Sequence, residues 1–132
     1  MGNIIKLITG SVTTFFVYLL GGLDIALQSL LVVIVLDYLT GIAKSYVSKK
    51  LNSTKGFKGI IKKLAMLGLV ALSVVIDHIA GNSGLIRTMV IYYLVANEGL
   101  SIIENLAEMD IIVPEFLKEK LEQLKKGSEN NE

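Results

Sequence analysis

Two carboxylates, Asp37 and Glu98, lie in the middle of two long apolar segments, and the neighbouring sequence holds no basic residue that would neutralise either one. An ionised carboxylate costs several kcal/mol at the centre of a hydrocarbon layer, so an acid inside a membrane normally faces protein or water. Two kinds of chemistry are therefore open to this pair: binding or relaying ions, or holding helices together through polar contacts.

A basic partner for these acids is available further along the chain, in Lys63 or Lys62. At about 1.5 Å of rise per residue, Asp37 and Glu98 both lie about 20 Å from the outer ends of their segments, so they can share one layer. Lys63 lies within about one turn of that depth, and its flexible side chain can rise to a carboxylate or extend back to the membrane surface. We predict an ion pair here. The alternative is that each acid is protonated and hydrogen-bonded, because burial disfavours the charged form.

The segment around Glu98 also carries a polar stripe. Glu98, Ser101 and Asn105 follow one another at spacings of three and four, with Asn97 and Glu104 beside them. Such side chains on a membrane helix must face partner helices or water. A bundle this small has little interior to receive them all, so we expect self-association into a homo-oligomer. The alternative is a compact monomer whose stripe meets its other spans.

Other reactive groups are scarce. The chain has no cysteine, which excludes disulfides, thiolate metal ligands and cysteine nucleophiles. The single histidine, His78, has no second imidazole with which to form a metal site. Gly56 and Gly59 lack the spacing of a phosphate-binding loop. We therefore predict no catalytic residue, no cofactor, no metal and no nucleic-acid partner.

The elements that must position these residues are predicted from hydropathy. Half of the 132 residues are hydrophobic, at 52%, and a soluble domain of this size has too little interior to bury them. We predict an all-α integral membrane bundle of three to four transmembrane helices in residues 1–110, with a charged tail in residues 111–132. The predicted helices are about 7–23, 25–47, 60–80 and 85–106, followed by a short amphipathic helix at 114–126. Residues 128–132 are expected to be disordered.

Orientation follows from the basic segment 44–63, which contains seven lysines and no acid. Such a segment stays in the cytoplasm and is suited to contact anionic lipid. The turn at residues 81–84 then lies outside, where Arg87 can reach Asp77 or Asp24 in a structural role, and the C-terminus is cytoplasmic. With four spans the N-terminus is cytoplasmic too. With three, the first apolar segment lies on the outer surface.

Several residues together resemble the phage lysis and toxin-secretion holins, over roughly residues 30–125. The matching features are Asp37 followed by Gly41, Leu51-Asn52-Ser53 with Gly56 and Gly59, Lys62-Lys63, Asp77, Asn97-Glu98 with Ser101, Glu104-Asn105, and Val113-Pro114 before a charged helix.

The resemblance implies a small phage protein that oligomerises in the cytoplasmic membrane of the bacterial host and opens pores or lesions. Endolysin, or in related systems a toxin, then leaves the cytoplasm and the host cell lyses. Of the residues that it singles out, we assign to a polar layer for assembly or the pore Asp37, Lys63, Glu98, Ser101 and Asn105. We assign to structure Gly41, Asn52, Ser53, Gly59, Asp77 and Pro114. Because the next methionine after Met1 is Met66, an antiholin would be a separate chain rather than a product of a second start.

Two other classes of function stay open at this point. The first is a selective ion channel or proton-coupled carrier using Asp37 and Glu98, although the sequence has no inverted repeat and no helix broken by glycine or proline at mid-depth. The second is a membrane-anchored adaptor that recruits a cytoplasmic partner through its basic segment and amphipathic tail.

Overall fold

A computed structural model of the chain describes residues 1–130, and these residues form five α-helices and no strand. The helices are α1 (Gly2–Leu19), α2 (Ile25–Val47), α3 (Ser53–Ala80), α4 (Leu85–Glu108) and α5 (Glu115–Asn130). The first four are long and apolar enough to cross a membrane. The predicted all-α membrane bundle is thus confirmed.

Several helix ends differ from the boundaries that hydropathy indicates. α3 begins at Ser53 rather than near residue 60, because the Asn52 side chain accepts hydrogen bonds from the amides of Thr54 and Lys55 at 2.9 and 3.3 Å. This N-cap starts the helix before its apolar part. Most of the basic segment is therefore helical, and only residues 48–52 connect α2 to α3. Hydropathy marks the part of a helix suited to lipid, not the full length of its hydrogen-bonded backbone.

The outer helices differ from those boundaries as well. α1 occupies Gly2–Leu19 rather than residues 7–23, since Gly21 and Gly22 have positive φ angles that end it. α5 continues through Gly127 to Asn130, so residues 128–130 are helical where disorder was expected. Residues 131 and 132 lie outside the described part of the chain.

The turn between α3 and α4 is built by glycines and one carboxylate. Gly81 adopts φ 70° at the end of α3, and Gly84, at the N-cap of α4, has no side chain to offer. The Asp77 carboxylate takes the place of a capping side chain, because it accepts hydrogen bonds from the amides of Ile86 and Arg87 at 3.0 and 2.8 Å. The carboxylate satisfies donors that a helix N-terminus leaves open. We call this the hairpin end of the bundle, and the opposite end, where α2 leads into α3, the basic end.

Packing is centred on α4, which contacts α2, α3 and α5, whereas α2 and α3 contact each other little. The apolar core lies between these helices and contains Leu27, Leu30, Val70, Ile91 and Leu94. α1 has no buried residue. The chain therefore has one central helix with partners around it, and a first helix that stands apart from the core.

Arg87 ties the connection between α1 and α2 to the central helix. Its guanidinium donates to the carbonyls of Leu20 and Gly22 at 2.7 and 2.9 Å, and to both carboxylate oxygens of Asp24 at 2.7 and 3.1 Å. Asp24 in turn caps α2 through the amide of Leu27. Of the two acids predicted near Arg87, Asp24 meets its side chain and Asp77 meets its backbone.

Replacing Arg87 is expected to destabilise the hairpin end of the bundle. In Arg87→Met, two carbonyls and a carboxylate lose their donor, which we expect to lower the free energy of unfolding by about 2 kcal/mol. Thermal unfolding in detergent micelles, followed by circular dichroism, measures the change. The control is Lys6→Met, which removes an exposed cation from α1. Equal transition temperatures for the two variants would contradict the anchoring role.

The ion pair between Arg87 and Asp24 predicts that the stability of the fold depends on pH. The Arg87 guanidinium, assisted by the amide of Leu27, holds the pKa of Asp24 below its ordinary value of 3.8. A carboxyl group with a lowered pKa in the folded state adds stability that is complete above its ordinary pKa and is lost as the pH falls through the lowered value. The difference in transition temperature between the wild type and Asp24→Asn should be constant down to about pH 4 and then shrink. An undiminished difference in transition temperature at about pH 2 would argue against a stabilising ion pair between Arg87 and Asp24.

Candidate functional site: a charge cluster between three helices

Three ionisable side chains from three helices meet in the bundle, and we call them the charge cluster: Asp37 of α2, Lys63 of α3 and Glu98 of α4. The Lys63 ammonium contacts one oxygen of each carboxylate. The side chains of Lys63, Asp37 and Glu98 are 19%, 11% and 4% exposed, respectively. Counting residues along the predicted spans indicated this meeting. The neighbouring Lys62 is exposed to the surroundings.

Asn105 fixes Asp37 from the side of α4. Its side-chain amide donates to the Asp37 carboxylate at 3.0 Å and to the Thr40 hydroxyl at 3.0 Å. The Thr40 hydroxyl donates to the carbonyl of Leu36 at 2.8 Å, so it is free to accept from Asn105. A β-carbon on Gly41 would lie 3.7 Å from the Asn105 amide, an ordinary van der Waals contact, so Asn105 packs beside Gly41 without requiring a glycine there. Thr40 was not predicted, because a threonine in an apolar helix usually bonds only its own backbone.

The charge cluster carries an imbalance of charge, since its ionised form has two carboxylates and one ammonium. Buried ions are expensive unless their remaining hydrogen-bonding capacity is met. Asn105 meets part of it at Asp37. Water can meet the rest, because an open cavity of about 430 Å³ lies against the cluster.

The cavity lies toward the basic end, between α2, α3 and α4. Its polar lining comprises Asp37, Lys44, Ser45, Asn52, Lys55, Lys63, Ser101, Glu104 and Asn105. It has room for on the order of ten water molecules at about 30 Å³ each, and enough polar partners to hold them. Ser101 and Glu104 therefore line the cavity rather than joining the charge cluster directly.

Tyr38 of α2 lines this cavity and lies against α3. A β-carbon on Gly56 would lie 3.5 Å from the Tyr38 hydroxyl, and one on Gly59 would lie 3.7 Å from its ring. Both distances are ordinary van der Waals contacts, so the Tyr38 side chain lies directly against this part of α3. The sequence did not single out Tyr38, because the role of this side chain depends on which part of α3 it meets.

The remaining predicted residues lie elsewhere. Ser53 is the first residue of α3, and the Pro114 carbonyl accepts the amide of Leu117 at the start of α5. Arg87 and Asp77 lie at the hairpin end, and His78 is exposed. Asn97 points away from the charge cluster and accepts a hydrogen bond from Lys125 of α5 at 3.4 Å.

The polar stripe is therefore divided between two sides of α4. Glu98, Ser101 and Asn105 face α2 and α3, and Asn97 faces α5. Within one chain, Glu98, Asn105 and Asn97 find partners on other helices, as in the compact alternative weighed from the sequence, whereas Ser101 lines the cavity.

The fold and the cluster together define an integral membrane helical bundle with a polar interior layer. The chain belongs to the bacteriophage holin family, whose model matches residues 14–126. This match confirms the resemblance drawn from the sequence motifs, and it extends through most of α5.

Individual relatives support the assignment of the chain to this family. The probable holin of Bacillus phage phi105 is 32% identical over 95 residues, which cover 72% of this chain and 70% of that protein. An uncharacterized 14.9 kDa protein in the nagH 3′ region of Clostridium perfringens is 42% identical over 123 residues, covering 92% of this chain and 93% of the relative. An uncharacterized protein of Listeria monocytogenes is 45% identical over 103 residues, which cover 78% of this chain and 74% of the relative. No solved structure matches the chain.

The charge imbalance predicts unequal effects of substitution within the cluster. Lys63→Met leaves two buried carboxylates without a cation and should cost about 3–5 kcal/mol of unfolding free energy. Glu98→Gln leaves a neutral pair of Lys63 and Asp37 and should cost much less. In the double variant, the cost should fall well below the sum of the two single costs, because one of the stranded charges is gone. Titration of a denaturing detergent into micelles measures these energies.

The matched control is Lys62→Met, which removes a neighbouring but exposed lysine. It should leave the unfolding free energy nearly unchanged. Additive effects of Lys63→Met and Glu98→Gln would show that the two side chains do not interact as the structure places them.

Proposed function

We propose that this protein acts as a holin: it oligomerises in the cytoplasmic membrane of a bacterial host and forms pores or lesions. Endolysin, or a toxin in a related role, then leaves the cytoplasm, and release of endolysin lyses the host. Family membership and the phi105 relative support this proposal. The observation that carries it is the charge cluster, which gives a chain of only four possible spans a polar layer deep in its interior.

The physical link between the cluster and a lesion is water. The cavity reaches Asp37 and Lys63 from the basic end, so water can enter the bundle as far as the charged layer. A single bundle is too thin to enclose a passage for a folded protein. Several copies that place their polar groups around a shared space can do so, because each exchanges lipid contact for protein and water contact.

The second link is the apolar surface that one copy leaves open. α1 has no buried residue in the described part of the chain, and Phe15 and Phe16 are more than half exposed. In a membrane these side chains meet lipid or another copy equally well. The exposed apolar faces of the four helices can therefore contact other copies of the chain in a homo-oligomer.

Orientation is part of the proposal. Lys49, Lys50, Lys55 and Lys58 are exposed at the basic end, which supports placing that end in the cytoplasm. The same lysines are suited to contact anionic lipid headgroups there. With four spans, both the N-terminus and the C-terminus then lie in the cytoplasm. An inhibitory antiholin, if the system has one, would be a separate chain.

A selective ion pathway is the second candidate, and the cavity that leads to Asp37, one of the two carboxylates of the charge cluster, favours it. Against it, the Lys63 ammonium contacts both carboxylates, so the site is already filled by a fixed cation. Such an arrangement suits helix assembly better than passage of a cation.

Expression in bacteria tests the proposal. Induction of the wild type should stop growth and release a co-expressed cytoplasmic enzyme into the medium, whereas Lys63→Met should release at least ten-fold less enzyme at equal membrane abundance. Lys62→Met is the control and should behave as the wild type. Loss of small ions without release of the enzyme would favour the ion pathway. Continued growth without any leakage would contradict both candidates.

A further inference from the structure

α5 folds back along α4 and covers one of its faces. Lys125 lies over the ring of Tyr93, 5.5 Å from the centroid, and donates to the Asn97 side chain at 3.4 Å. Further along, Leu121 packs onto Gly99. We call the covered residues Tyr93, Ala96, Asn97 and Gly99 the Gly99 face.

Contact at the Gly99 face is close. A β-carbon on Gly99 would lie 2.9 Å from both methyl carbons of Leu121, so a larger residue at position 99 would require the Leu121 side chain to move. Ala96 lies one turn before Gly99 on the same side of α4 and is fully buried. A glycine and an alanine at this spacing allow another helix to approach the backbone of α4 closely.

Depth makes this arrangement incompatible with surrounding lipid. Counted from Leu85, Tyr93 lies about 12 Å and Gly99 about 21 Å along α4, both within a hydrocarbon layer of roughly 30 Å that α4 crosses. Half of the sixteen residues of α5 are lysine or glutamate. Docked on the Gly99 face, α5 would turn its charged side toward the hydrocarbon, at a cost of several kcal/mol for each unpaired charge.

Release of α5 to the membrane surface removes that cost but exposes the Gly99 face. Asn97 then loses Lys125 and lies in hydrocarbon without a hydrogen-bonding partner, which is unfavourable. A second copy, approaching through its own Gly99 face, supplies an identical asparagine and an equally small surface. Two like faces can form a two-fold symmetric contact, in which a residue near the axis meets its own counterpart.

We propose that α5 is a removable cover over the Gly99 face of α4, and that a second copy of the chain docks on this face once α5 has left it. The inference rests on the proposed function, since it names the surface through which the holin assembles. The chain with α5 docked is then the form that does not assemble, and the charged side of α5 drives its removal when α4 is surrounded by lipid.

A reversible disulfide tests this directly, because the chain contains no cysteine of its own. In the double variant Gly99→Cys with Leu121→Cys, the sulfur at position 121 would lie near the Leu121 Cγ position, 3.5 Å from the β-carbon at position 99. That separation is suitable for a disulfide, and the shorter side chain removes the methyl contacts. The purified variant is oxidised in detergent, reconstituted into vesicles of phosphatidylethanolamine and phosphatidylglycerol, and compared with and without reductant.

The expected result is that the oxidised variant stays monomeric and releases a trapped dye at least ten-fold more slowly than the reduced variant. A second variant leaves α4 unchanged: Leu121→Gln weakens the cover and should speed dye release relative to the wild type. Its control, Phe116→Gln, changes an exposed residue of the same helix and should have no such effect.

The outcomes separate this inference from the proposed function. Equal oligomers and equally fast release with and without the disulfide would overturn the inference and leave the holin function standing, since α5 would then remain docked and face water. Absence of dye release in every form would contradict the proposed function. In that case the oligomeric state still decides the inference, which requires a monomer when oxidised and an oligomer when reduced.

Discussion

The contact of one ammonium with two carboxylates is the constraint around which this structure is arranged. Lys63 can satisfy Asp37 and Glu98 together only if α2, α3 and α4 hold their middle turns at one depth. Apolar packing alone specifies such depth weakly inside a membrane, because one leucine contact resembles the next and lipid competes for each of them. The charge cluster adds the registration that apolar contacts lack, and Asn105 reinforces it by linking α4 to Asp37.

The central position of α4 follows from the same requirement. This helix contributes Glu98 and Asn105 to one side and the small, close-packed Gly99 to the other. At its start, Arg87 holds the connection between α1 and α2. Because α2 and α3 contact each other little, the bundle depends on α4 as the shared partner. Replacing one neighbour of α4 by another therefore affects the packing of all the helices that depend on α4. The assembly of several copies is in this way linked to the fold of each copy.

Much of the site could be predicted from residue spacing. Asp37 and Glu98 were placed at one depth by counting along straight helices, and Lys63 followed as the nearest cation. Arg87 was placed near Asp24 and Asp77 because short turns keep helix ends close. Spacing could not indicate Thr40 or Tyr38, since their roles depend on which side of a neighbouring helix they meet. It also missed the early start of α3, where a single asparagine cap extends the helix beyond its apolar part.

By itself the sequence determined that the chain is a membrane bundle of three to four spans, and that Asp37 and Glu98 share a layer. These properties depend on hydropathy and helical rise, and both are local. Only the tertiary structure decided that the polar stripe of α4 is divided, with Glu98 and Asn105 turned inward and Asn97 turned to α5. It also decided that a charged helix covers the Gly99 face. Those outcomes depend on the rotation of each helix about its axis, which is set by competition among all of its neighbours.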